Sequence, residues 1–160
     1  MHAAARSYIA EQAKSCKGPV LEVGSRDING GVRDLLPKTG YHGIDLVAGK
    51  GVDEVVDVRD LDHSTKFATV VCCEVLEHHP APDELIAAMA DNLLVGGVLL
   101  ITAAGPAREP HSAVDGGVLR DEEHYANVDP DDLKGWLKAA KLKKIEIDVT
   151  GDDVRARAVK

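Results

Sequence analysis

Short apolar runs alternate with helix-period segments along most of this chain, and turn residues separate them. Residues 2–16 predict a helix with Tyr8, Ile9, Gln12 and Ala13 along one side, stopped by Gly18-Pro19. Val20–Val23 reads as a first strand. A short helix is expected over residues 32–36, ahead of Pro37. Residues 41–47 form a second strand-like run, residues 48–51 a glycine turn with no room for a full helix, and residues 53–58 a third strand. Phe67–Cys73 is almost continuously apolar, as a central strand covered on both faces should be. Pro82 suits the first position of a helix, with Leu85, Ile86, Met89 and Leu93 at helical spacing and Gly96-Gly97 ending it. Residues 98–103 predict a fifth strand.

The last third differs in kind. A long polar stretch, residues 105–127, precedes Asp129-Pro130, an N-cap followed by proline. Leu133, Trp136, Leu137 and Ala140 then make one buried helical stripe. Ile145, Ile147 and Val149 alternate with polar residues, a turn follows at residues 150–153, and Val154, Ala156 and Ala158 alternate again. That pattern predicts an antiparallel hairpin. The whole is an α/β chain of seven strands, six running one way and one reversed near the end.

Composition narrows the class. With 160 residues, 44% of them hydrophobic, the chain is expected to be one globular domain. The net charge of −8 argues against nucleic acid as a partner, without removing it. No apolar run reaches the roughly 18 residues of a membrane helix, and no signal-peptide pattern opens the chain. Cys16, Cys72 and Cys73 are odd in number and two are adjacent, so no disulfide framework is expected. Together these predict a reduced, cytoplasmic protein. Oligomeric state is not legible in the sequence.

The stretch from Val20 to Gly31 carries the chemistry. A strand ending in a glycine bend brings backbone N–H groups close to a ligand. Asp45 follows Gly24 by 21 positions at the end of the second strand, a distance that suits an acid receiving ribose hydroxyls. Glu22 sits inside an apolar strand, where an unpaired acid is costly. Gly24, Asp45, Asp57 and Glu74 all fall at carboxyl ends of strands, where such sheets bind ligands.

These four stretches in order resemble the class I S-adenosylmethionine-dependent methyltransferases. Val20–Val23 with Gly24 is similar to motif I, residues 41–47 to motif II, residues 51–60 to the adenine-contacting motif III, and FATVVCCEVLEH with NLLVGGVLLITA to the fourth- and fifth-strand region. The resemblance implies a single-domain, Rossmann-like seven-stranded sheet over residues 1–160, mostly parallel, with a C-terminal antiparallel hairpin and helices on both faces. It implies S-adenosylmethionine as cofactor and a small-molecule acceptor. Glu22 and Glu74 would lie near the methionine end, Gly24 and Ser25 would touch the cofactor through backbone and hydroxyl, Asp45 would meet the ribose, and neighbouring Leu46 would also belong to the cofactor site. Asp57 and the Val58 N–H would contact adenine. Arg26 stands where the usual loop has a second glycine and could approach the methionine carboxylate.

Other polar residues have plainer readings. His111 and His124 lie in the long loop, and either could be a general base, though a solvated loop histidine is the simpler account of each. His78 and His79 divide evenly between site and polar loop. No metal site is expected: a zinc set of Cys72, Cys73 and His78 fails because adjacent strand residues face opposite ways. Tyr125 and Trp136 read as packing residues. Two rivals remain. A nicotinamide-dependent reductase predicts G-x-G-x-x-G, which is missing, and a non-catalytic domain keeping the same fold would bind without turnover.

Overall fold

The computed structural model describes residues 3–62 and 64–160. Seven strands form one sheet: β1 (Val20–Val23), β2 (Tyr41–Asp45), β3 (Glu54–Val55), β4 (Phe67–Cys73), β5 (Leu93–Ala104), β6 (Lys143–Thr150) and β7 (Asp153–Val159). Their order is β3-β2-β1-β4-β5-β7-β6. Strands β1 to β5 pair in parallel, and β7 runs antiparallel to both β5 and β6. Six strands therefore share a direction and β7 alone is reversed, as the alternation predicts.

Strand alternation sorts the core onto two faces. Leu21, Val70, Cys72, Leu99 and Ile101 pack on one side with helices α2 (Pro82–Asp91) and α3 (Pro130–Ala139). Val20, Val71, Cys73 and Leu100 pack on the other with Ile9 of α1 (Ala3–Gln12). Cys72 and Cys73 thus lie in opposite cores. Helix α3 starts as expected: Asp129 caps it by accepting from the Asp131 and Asp132 N–H groups, and Leu133 and Leu137 are buried.

Five features depart from the sequence pattern, the first being β2, which ends at Asp45 and not at residue 47 because the Asp45 side chain accepts from the Val47 N–H and turns the chain. Helix α1 ends at Gln12 and passes into a 3-10 turn, Ala13–Ser15; residue 2 of the expected helix lies outside the described residues. Residues 32–36 form turns, held by Leu35 N–H donating to the Val32 carbonyl at 2.9 Å. Five residues ahead of a proline cannot offset the cost of helix nucleation. Strand β3 is only Glu54–Val55, because the Asp57 side chain accepts from the Arg59 N–H at 2.9 Å and turns the chain out of the sheet. Leu93 belongs to β5, not to α2. Asn92 closes the helix with its amide on the Ala88 carbonyl, and the Gly96 N–H and Gly97 carbonyl pair with Lys160 at the end of β7.

Candidate active site

The chain leaves β1 through Gly24, whose φ of +76° lies in the left-handed region. A Cβ there would stand 2.2 Å from Val75 Cγ2, so only glycine fits. The N–H groups of Gly24 and Ser25 both donate to the Ile44 carbonyl, at 3.0 Å each. The bend is therefore stitched to β2, and its amides are already occupied. The Ser25 hydroxyl is different: it is buried against Gly43 and has no hydrogen-bond partner, while the residue itself borders the cavity beyond the bend. Arg26 also lines that cavity and lies against Gly49.

Asp45 ends β2 beside this bend. Its carboxylate accepts from the Arg26 N–H at 3.1 Å and the Val47 N–H at 3.0 Å. Two backbone donors fix the plane of the carboxylate and leave further lone pairs at the cavity wall. Leu46, 63% exposed, borders the same wall. Asp57 is held differently. Its two oxygens accept from Arg59 Nε at 3.0 Å and from the Arg59 guanidinium terminus at 2.7 Å, and that pairing pulls its pKa below the usual carboxylate range. Any adenine contact would share an acceptor with Arg59. Val58 is buried at the cavity edge.

Glu22 is 5% exposed and accepts from the Tyr41 hydroxyl at 2.8 Å. Burial pushes its carboxyl up to about 7, against which the Tyr41 hydrogen bond works downward. Glu74 stands at the tip of β4 with φ of +57°, an uncommon conformation for a side-chain-bearing residue. Thr102 Oγ1 donates to it at 2.9 Å, and the Arg108 guanidinium lies 3.7 Å away while bonding Asp153 at 2.7 Å. Arg108 lines the cavity and is an element the sequence did not disclose. It sits in a polar loop, and its partners come from β4 and β7, so no local pattern marks it.

The cavity measures about 860 Å³ and spans the tips of β1, β2 and β4 under the loop of residues 108–118. Asn127 anchors that loop by donating to the Gly105 and Arg108 carbonyls at 2.6 and 2.8 Å. Asn29, beyond the glycine bend, reaches the Asp115 carbonyl at 3.4 Å and ties the two loops across the mouth. Of the two loop histidines, His111 lines the cavity, while His124 is exposed and outside its wall. His78 lines it too. Burial, then the neighbouring His111, lowers the His78 pKa to about 4, so its ring is neutral at neutral pH. The rings of His78, His111 and Tyr125 meet edge-on, with centroids 5.0 to 5.4 Å apart. Glu77, behind His78, is fully buried, and burial followed by the Glu74 charge raises its pKa to about 8.

Residues 3–147 match the family described as "Methyltransferase domain". The chain belongs to this methyltransferase family. A ubiquinone biosynthesis O-methyltransferase of Xanthomonas euvesicatoria pv. vesicatoria is 33% identical over 109 residues, 61% of this chain and 46% of that protein. Its counterpart in Xanthomonas oryzae pv. oryzae is 31% identical over 121 residues, 69% of this chain and 50% of that protein. The chain thus spans about half the length of the curated relatives it matches. Among solved structures, the Burkholderia thailandensis 1,6-didemethyltoxoflavin-N1-methyltransferase, with bound 1,6-didemethyltoxoflavin and S-adenosylhomocysteine, superposes with a TM-score of 0.71 at 16% identity. That match covers 99% of this chain and 77% of the other. The N-methyltransferase NodS of Bradyrhizobium japonicum, in complex with S-adenosylhomocysteine, gives 0.69 at 16% identity, covering 97% and 85%. At such identities the likeness is one of fold. Among the described residues, no helix is long and apolar enough to cross a membrane.

Proposed function

We propose that the chain, acting as one domain, binds S-adenosylmethionine across the tips of β1, β2 and β4 and transfers its methyl group to a small-molecule acceptor. The observation that carries this reading is the pairing of a glycine bend that tolerates no side chain with Asp45, whose carboxylate two backbone donors hold at the cavity wall. The unpartnered Ser25 hydroxyl, turned by a change of rotamer toward the cavity its residue borders, would give a polar ligand a partner at the same place. The family match and the two neighbours crystallised with S-adenosylhomocysteine support it further.

In this scheme Asp45 accepts from the ribose hydroxyls, with Leu46 alongside. Asp57 and the Val58 N–H border the adenine. Gly24 gives the ligand close approach to the backbone, Ser25 adds a hydroxyl, and Glu22, Arg26 and Glu74 surround the methionine end. The bound cofactor supplies an electrophilic methyl on a sulfonium. What remains for the chain is to hold a nucleophile in line at close range, away from water. The roof formed by residues 108–118 does so. Of the proposed bases, His111 is within the wall and His124 is not, so His111 is the residue assigned to receive an acceptor's proton.

Product release tests the proposal. The purified chain, given S-adenosylmethionine and a pool of phenols, amines and carboxylic acids, is expected to form S-adenosylhomocysteine, and to bind that product while ignoring NAD. Saturable NAD binding without S-adenosylmethionine binding would restore the reductase, and binding without turnover against any pool would favour a non-catalytic domain.

A further inference from the structure

We propose that Glu77, His78 and His111 hold one divalent transition-metal ion at the roof side of the cavity. One ligand atom from each of the three lies within 4.8 Å of those of the other two, a spread that a single ion can bridge with small side-chain movements. A second observation points to a missing ligand. Glu77 is fully buried, and neither of its carboxylate oxygens has a hydrogen-bond partner. His78 Nδ1 is likewise buried and without a partner. Buried polar atoms without well-formed hydrogen bonds at one shared point are costly, and an ion held between them would satisfy both side chains.

The donor set names the class of ion. Two imidazoles and one carboxylate match borderline ions such as Zn²⁺ and Co²⁺, whereas Mg²⁺ and Ca²⁺ favour oxygen alone. His111 Nδ1 sits 3.2 Å from the Glu109 carbonyl, the kind of outer contact that fixes a ligating ring's tautomer and leaves Nε2 with its lone pair. The His78 and His111 rings are nearly perpendicular at 5.0 Å, so they converge rather than stack. Sequence spacing hides the set. Glu77 and His78 follow β4, and His111 arrives from a loop 33 residues further on. The set differs from the cysteine combination rejected above, because neither Cys72 nor Cys73 takes part.

Three protein ligands leave positions open toward the cavity that His78 and His111 line. Those positions suit an acceptor bearing a hydroxyl, whose oxygen the ion would orient and polarise. This role rests on the methyl-transfer reading, and with the ion bound it replaces the base role of His111, whose ring has no lone pair left to take a proton once it ligates; the ion's presence does not rest on that reading.

Cobalt titration of the chelator-treated 160-residue chain tests it, read by visible absorption and by calorimetry. One saturable Co²⁺ per chain is expected, displaced by Zn²⁺, with an absorption band of nitrogen-containing coordination. His111→Ala, a change in a loop, should weaken binding at least about tenfold, and the distant His42→Ala should not. Absence of saturable Co²⁺ binding, or equal affinity in wild type and His111→Ala, overturns the site. S-adenosylhomocysteine binding, measured on the same samples with chelator present, keeps the two claims apart: cofactor without metal refutes only the ion, and metal without cofactor refutes only the methyl-transfer reading.

Discussion

A methyl group added at Gly24 would meet Val75 Cγ2 at 2.2 Å on a backbone already at φ +76°. Gly24→Ala is therefore expected to destabilise the chain by about 2–5 kcal/mol, combining left-handed backbone strain with overpacking. Urea denaturation of the two proteins measures it, and a difference under half a kilocalorie would mean that the bend relaxes freely. Glu22 makes a prediction about pH. Its folded pKa is about 7, against a reference of 4.5. Between those values the native chain keeps a proton that the unfolded chain has released, so stability falls as pH rises. The stabilisation present below about 4.5 is gone above about 7, a change of about 3 kcal/mol at 1.4 kcal/mol per pH unit. Glu22→Gln should flatten the lower part of the profile, and an unchanged slope in urea melts at pH about 5 and about 7.5 would show that Glu22 titrates normally.

At the scale of elements, caps and alternation were readable and the short pieces were not. Asp129-Pro130 announces α3 because both residues have fixed work at a helix start. Asp129→Ala should cost about 0.5–2 kcal/mol, seen as a lower urea midpoint with unchanged slope. The hairpin of β6 and β7 was legible because alternation has only one structural reading there. Residues 32–36 failed as a helix because apolar spacing says nothing about nucleation. Leu93 was misplaced because helical spacing and strand pairing both accept it, and only the partner Phe67 decides. The site divides in the same way. Gly24 and Asp45 are marked by local chemistry at a fixed separation. Arg108, Thr102 and Tyr41 are not, since each acts through a partner brought close only by the sheet: Glu74 for the first two, Glu22 for the third.

For the molecule as a whole, strand order sets where chemistry can occur. With β1 between β2 and β4, the glycine bend, Asp45 and Glu74 reach one cavity although 50 residues separate the first from the last. The reversed β7 contributes Asp153, which holds Arg108 at the start of the loop over the cavity. The central claim is that this cavity holds a nucleoside by its ribose at Asp45. Calorimetric titration with S-adenosylhomocysteine tests it most directly, comparing wild type with Asp45→Ala. One saturable site is predicted, weakened in the variant by ~1–3 kcal/mol, the cost of leaving hydroxyls unpaired. Equal affinity in the two proteins, or no binding to the wild type, would contradict the claim.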